Sequence, residues 1–330
     1  MQQPNPSLRV EHLGVRYARG SRLALDDVSL AIDGARTLAV VGPSGAGKST
    51  LLRAIAGLIR PESGTIALDG RSLSGESPQQ RRVALVFAED ALLAHRTVRR
   101  NLEFVARDAT QIDEVAVTLG IDRHRERRPA QLSSGERRRV SIARALLAQP
   151  RALLLDEPLA PLDPELRSLV REELLHVRER FDGPMIIVTH DHADAMTFAD
   201  TLAVLVDGRI EDAGEPQRVY DRPRTLRVAA LLGTRPMNLL SGSVFGLSDD
   251  VVVGIRPERI ELAGDGDLRG EVRRVERTGA DVYVYIASVA GPIVARVDAA
   301  SNVPQGAVVS CTYSAADMRR FDRATGKSLS

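Results

Sequence analysis

The chain has 330 residues, of which 43% are hydrophobic and 27% charged, and its 45 basic side chains balance 44 acidic ones. That length predicts two domains with room for sizeable cores, and the composition argues against a wholly disordered chain. The charge balance, the absence of tryptophan and the 3% aromatic content leave no footprint for nucleic acid, and no run reaches the ~18 apolar residues that span a bilayer.

The N-terminal residues MQQPNPSLRVEH lack the apolar stretch of a secretory signal. From there to about residue 60, short apolar runs alternate with turn signals. Leu38–Val41 is a continuous apolar run ending in Gly-Pro-Ser-Gly-Ala-Gly, which predicts a buried strand feeding a glycine-rich loop. Leu51, Leu52, Ile55, Ala56 and Ile59 recur at helical spacing until Arg60-Pro61 stops the helix. Short strands are predicted at 64–69 and 83–87, then helical segments across 97–148, broken before Leu132 by Gly120 and Pro129. Ala152–Leu155 and Met185–Thr189 read as further buried strands on either side of a charged helix at 164–180. This strand–helix alternation predicts an α/β fold with a mostly parallel sheet covered by helices. Near 233–243 the texture shifts to Gly, Pro, Ser and Asn. Beyond it, Val251–Ile255, Glu271–Val275, Asp281–Ala287, Ile293–Val297 and Ala307–Tyr313 are short runs bounded by turn residues. Val282, Val284 and Ile286 alternate with Tyr283 and Tyr285, so a small all-β barrel is predicted there. The single cysteine, Cys311, allows no intrachain disulfide and fits a reducing compartment.

Gly42-Pro43-Ser44-Gly45-Ala46-Gly47-Lys48-Ser49-Thr50 satisfies G-x-x-x-x-G-K-[ST] between a predicted strand and a predicted helix. Glycines let backbone N–H groups turn inward around phosphate oxygens, and the helix start adds its positive end. Lysine occurs only at Lys48 and Lys327, every other one of the 45 basic residues being arginine, so an amine inside this motif is a chemical choice. Lys48 is expected to reach the β- and γ-phosphates and Ser49 to ligate Mg²⁺. Leu153-Leu154-Leu155-Asp156-Glu157-Pro158 places two acids at the carboxyl edge of the sheet. Asp156 is expected to hold Mg²⁺ through its water shell, and Glu157 to act as general base toward water. Nucleotide hydrolysis is the reaction these two motifs predict.

Leu132-Ser133-Ser134-Gly135-Glu136, followed by Arg137-Arg138-Arg139-Val140-Ser141-Ile142-Ala143-Arg144-Ala145-Leu146, resembles the signature segment of ABC transporter ATPases. Leu162-Asp163 is similar to that family's D-loop, Thr189-His190-Asp191 to its switch histidine, and Tyr17 stands where the family stacks a ring on adenine. Gly254-Ile255-Arg256-Pro257-Glu258 and Phe321-Asp322-Arg323-Ala324-Thr325-Gly326 resemble the TOBE-like accessory domain of the importer branch. The resemblance implies an ATPase domain over 1–234 and an oligomer-binding-type β barrel over 235–330. It implies an energy-coupling subunit on the cytoplasmic face of the membrane, working with separate membrane subunits and, indirectly, a solute-binding protein. Two copies would pack head-to-tail as a homodimer, each Ser133–Glu136 segment closing the partner's ATP. Sugar or glycerol-phosphate is the solute implied first, with polyamine, sulfate or ferric ion behind. A regulatory or non-transport ATPase of the same superfamily is the alternative.

The pattern departs at three places. Ala88 stands where the family has a Mg²⁺-directed Gln, with Glu89 beside it, and Ser134 and Glu136 replace Gly and Gln. Two readings of Ala88 follow: Glu89 or a water fills the gap, or the chain is a slow ATPase with altered coupling. The second is preferred, because a carboxylate one residue along an extended loop points the other way. His190 is expected beside Glu157, whereas His12, His124, His176 and His192 are expected at the solvated surface. The runs Arg123–Arg128 and Arg137–Arg139 are likewise expected to be solvated helix faces.

Overall fold

The computed structural model describes residues 8–17, 22–160 and 162–329. The first seven residues, part of the segment read as lacking a secretory signal, lie outside the described residues. The chain packs as two units, Met1–Pro216 and Gln217–Ser330.

Among the described residues of the first unit, the strands are β1 (Leu8–Val15), β2 (Leu25–Ile32), β3 (Thr37–Val41), β4 (Ser63–Leu68), β5 (Arg71–Ser72), β6 (Val83–Val86), β7 (Ala152–Asp156), β8 (Met185–Thr189), β9 (Thr201–Val206) and β10 (Arg209–Gly214). They form two sheets. The larger has the order β10-β9-β3-β8-β7-β6, parallel from β9 to β6, with β10 antiparallel at one edge. The smaller, β2-β1-β4-β5, is antiparallel throughout. The strand expected at 64–69 is thus β4, outside the parallel sheet.

The helices are α1 (Lys48–Ile55), α2 (Pro78–Arg81), α3 (Val98–Glu103), α4 (Gln111–Thr118), α5 (Ser134–Leu147), α6 (Pro164–Arg180) and α7 (His192–Phe198). Every residue of β3, β7 and β8 is buried, which is why these strands read as unbroken apolar runs. Their side chains alternate between two cores. Leu154, Ile186 and Val188 join Leu51, Leu52 and Ile55 of α1 and the antiparallel sheet. Leu153, Leu155 and Ile187 join Val140 and Ile142 of α5 and Val170 and Leu174 of α6. Helix α1 ends at Ile55 rather than running on to Ile59. Gly57 turns left-handed there (φ 81°), and buried Arg81 donates to the carbonyls of Ala54 (2.8 Å) and Ile55 (2.9 Å), closing the last turn.

The second unit carries α8 (Leu226–Leu231), β11 (Asn238–Ser241), β12 (Val251–Ile255), β13 (Ile260–Ala263), β14 (Leu268–Arg277), β15 (Val282–Ser288), β16 (Gly291–Val297), β17 (Val308–Tyr313), β18 (Arg319–Asp322) and β19 (Ser328–Leu329). They make the antiparallel sheets β11-β12-β18-β19 and β13-β17-β14-β15-β16. The end strands β13 and β16 of the second sheet lie against each other, so it curls into a barrel-like layer. Val282, Val284 and Ile286 enter the core as their alternation predicts. Tyr283 is buried as well, contrary to that alternation, because Arg235 covers its ring at 4.8 Å. Cys311 is fully buried and its thiol is pushed up to about 11, which leaves it inert. In the Gly254–Glu258 motif, buried Arg256 lies 3.9 Å over the Tyr220 ring and donates to the carbonyls of Tyr220 and Leu232.

Candidate nucleotide site

Strand β3 ends at Val41 and the chain turns through 42–47 into α1. Two of its glycines are demanded by close approach. A Cβ at Gly42 would stand 2.0 Å from the Leu205 carbonyl oxygen, and one at Gly47, which has φ 106°, would stand 2.4 Å from that of Ala24. Gly45 is left-handed with open space around it, while Pro43 and Ser44 are exposed and Ala46 is buried. Lys48 folds over this loop, its Nζ donating to the carbonyls of Gly42 (2.6 Å) and Pro43 (3.1 Å). Burial pushes the amine below its ordinary range, against the opposing pull of Glu157 and Asp156. Next on α1, Ser49 Oγ donates to Asp156 Oδ1 at 3.0 Å, and Thr50 Oγ1 is 2.8 Å from the hydroxyl of Tyr17. The Tyr17 residue is 60% exposed.

Asp156 is the last residue of β7 and is buried, which pushes its carboxyl up, with the Ser49 hydroxyl pulling the other way. Glu157 follows with φ 49°, a left-handed conformation that costs a side-chain-bearing residue about 1–3 kcal/mol. Its N–H donates to the Val188 carbonyl of β8 (2.9 Å), and its Oε2 lies 2.9 Å from Nδ1 of His190, just past β8. The structure therefore brings the 42–50 loop, Tyr17, Asp156, Glu157 and His190 together.

The signature segment forms the start of α5. Ser133 Oγ accepts from the Glu136 N–H (3.2 Å), and Glu136 Oε2 accepts from the Ser133 N–H (2.7 Å), a reciprocal cap. Gly135 is buried, a Cβ there meeting Leu166 of α6 at 3.3 Å. Ser134 is half-buried, and Asp163 is exposed and caps α6 by accepting from the Leu166 N–H (3.0 Å). Among the described residues, no hydrogen bond or ion pair joins Ser133, Ser134, Gly135, Glu136 or Asp163 to the 42–50 loop.

Three surface expectations are corrected. His124 is 4% exposed, its Nε2 3.1 Å from Glu136 Oε1, because the turn at 122–124 packs it under the cap; burial pushes the imidazole down. His192 is half-buried, whereas His12 and His176 are exposed as expected. The Arg137–Arg139 run is not a solvated face either. Arg139 is buried and paired with Glu173 at 3.0 Å, and Arg138 is buried against main-chain carbonyls on two loops.

Residues 25–160 match the ABC transporter family and residues 253–321 the TOBE domain. The sn-glycerol-3-phosphate import ATP-binding protein UgpC of Rhizobium meliloti (strain 1021) is 39% identical over 92% of this chain and 95% of its own length. Among solved structures, cbiO1 from Clostridium perfringens, part of the ABC transporter complex cbiONQ, superposes with a TM-score of 0.60 at 28% identity, covering 66% of this chain and 91% of that one. The ATP-binding cassette MJ0796, a dimer bound to ADP and Pi, gives 0.57 at 27% identity, covering 63% and 98%. No helix among the described residues is long and apolar enough to cross a membrane. With a nucleotide loop, a strand-end acid pair and a β accessory unit in one chain, this protein belongs to the ABC transporter family as an ATP-hydrolysing, energy-coupling subunit of the import type.

Proposed function

We propose that this subunit drives uptake of a phosphorylated polyol, with sn-glycerol-3-phosphate as the first candidate, from the cytoplasmic face of the membrane. The observation that carries the solute is the 39% identity to a protein named for that import, over 95% of its length. In this reading residues 1–234 bind and hydrolyse ATP, residues 235–330 form the accessory domain, and separate membrane subunits provide the pore. A strain lacking the subunit should lose uptake of labelled sn-glycerol-3-phosphate and regain it with the chain restored. Normal uptake of that compound beside lost uptake of a sugar, polyamine, sulfate or ferric ion would reassign the solute.

Within the site, the roles follow from position. The 42–47 amides and Lys48 cradle the phosphates, Glu157 accepts the proton of the attacking water, and His190 orients it. Ser49 and Asp156 are a hydroxyl and a carboxylate 3.0 Å apart, hard oxygen donors that suit Mg²⁺. Among the described residues no cluster of three or more His, Cys, Asp or Glu forms a complete cage, so such an ion would depend on phosphate and water oxygens as well. Bound there, it would neutralise charge on the phosphates. Two copies packed head-to-tail would let the α5 start, Ser133–Glu136, and Asp163 complete the partner's site; a dimeric cassette among the structural neighbours supports this.

Tyr17 stacks on adenine in this reading, its exposed ring held at the α1 start by Thr50. Tyr17→Ala should weaken ATP and GTP binding alike, by ~1–3 kcal/mol, because every purine offers a face to stack on. Calorimetric titration showing unchanged affinity would reduce Tyr17 to a partner of Thr50.

A further inference from the structure

Four backbone carbonyls from two separate loops converge on one buried guanidinium. Arg138 lies in the second turn of α5, downstream of the Ser133–Glu136 cap that fixes the helix start. Its Nη1 donates to the carbonyl of Phe87 and lies 3.8 Å from Asp90 Oδ1. Its Nη2 shares two hydrogens among the carbonyls of Ala88 (2.8 Å), Glu157 (3.2 Å) and Ala160 (3.2 Å). A charge 3% exposed is costly unless such dipoles and an acid surround it, so this side chain is a fixed node.

We propose that Arg138 is a positioning residue for ATP hydrolysis, clamping the segment after β6 to the loop that carries Glu157; the proposal rests on Glu157 acting as general base. The left-handed Glu157 is held from both sides. Its N–H is fixed by Val188 of β8 and its carbonyl by Arg138 of α5. Both peptide planes flanking its Cα are therefore tied down, and with them the direction in which the carboxylate leaves the chain. The same guanidinium grips Phe87 and Ala88. Ala88 has no polar side chain to reach the site, so its carbonyl is its hydrogen-bonding link to Glu157, by way of Arg138. A displacement of 87–90 is thereby felt at Glu157 through one planar group. A lysine ammonium, a compact charge without the fork, cannot span the same four acceptors.

The test uses the purified full chain and four variants: Arg138→Lys, Arg138→Met, Glu157→Gln and Glu157→Gln combined with Arg138→Lys. ATP turnover, nucleotide affinity and thermal melting are measured for each. Arg138→Lys keeps the charge for folding and should lower kcat at least about tenfold, in line with the cost of small misplacements of a catalytic group. ATP affinity should stay within about twofold, and Arg138→Met should lower kcat further. On the Glu157→Gln background the lysine variant should add little. Normal kcat in both single Arg138 variants beside a slow Glu157→Gln overturns the clamp and leaves the general base standing. Near-wild-type turnover in Glu157→Gln overturns the general base and the clamp's route through it. A full multiplicative loss in the double variant, or affinity falling in step with kcat, overturns the clamp as well. If Arg138→Met does not fold, the lysine variants alone decide.

Discussion

Glu157→Gln should lower steady-state ATP hydrolysis by about 10²–10⁴ while leaving ATP binding within error of the wild type. The amide keeps the size of the side chain and can still bond to His190, 2.9 Å away. What it loses is the basic oxygen that, in the proposed mechanism, takes a proton from water. A loss of that size corresponds to about 3–5 kcal/mol of barrier, far more than one neutral hydrogen bond contributes. Nucleotide affinity should be spared because the groups proposed to grip phosphate belong to the 42–50 loop, on a different strand end. With hydrolysis blocked and binding intact, the ATP-bound pair of subunits should persist and elute as a dimer on size exclusion. Turnover close to wild type in this variant would move the base elsewhere, and His190 would be the next residue to test.

The second large effect is expected at Lys48. Lys48→Ala should weaken ATP binding roughly 10–150-fold, the equivalent of about 1.5–3 kcal/mol for a hydrogen bond to a charged group. Thermal stability should change little. The ammonium's bonds to Gly42 and Pro43 are lost, but so is the burial that now pushes its pKa down. Titration calorimetry with ATP and a melting curve separate the two outcomes. Unchanged affinity would mean that the amine only braces the loop. A sharp fall in melting temperature would mean that the bracing is its main contribution.

The parts of the site that the sequence makes legible are those written in consecutive residues. The 42–50 motif, Asp156-Glu157 and His190 each sit at the end of an apolar strand run, and nearness to a strand end is a local property. What the structure adds is set by long-range packing. Nothing local says that α5 will present Arg138 to carbonyls that follow β6 and β7, residues 19 and more positions away. A general preference for solvated arginine therefore gave the wrong environment. His124 fails for the same reason, since its burial depends on the Glu136 cap twelve residues later. Parallel and antiparallel partners are not distinguished by periodicity, so β4 could be seen as a strand without its sheet. In the second unit, the period-two reading of β15 succeeds for Val282, Val284 and Ile286. It misses Tyr283, whose outer face is covered by a cation from another segment.

The pairing of β3, β8 and β7 bears on which length changes the protein can absorb. Val41 pairs with Thr189 and Asp156 with Val188, so three strand ends finish within a residue of each other although 41, 156 and 189 are far apart in the chain. Residues gained or lost in the surface connections between these strands leave the three ends in line. A single residue deleted inside Ala152–Asp156 does not. It would turn Asp156 and Glu157 to the opposite faces of the sheet, because side chains alternate at every position. Natural drift in chain length should therefore accumulate in the connections and spare the strands. An engineer adding a tag or sensor domain has the same freedom in connections that carry none of the 42–50, 87–90, 133–136 or 157–163 segments, and no freedom within the strands.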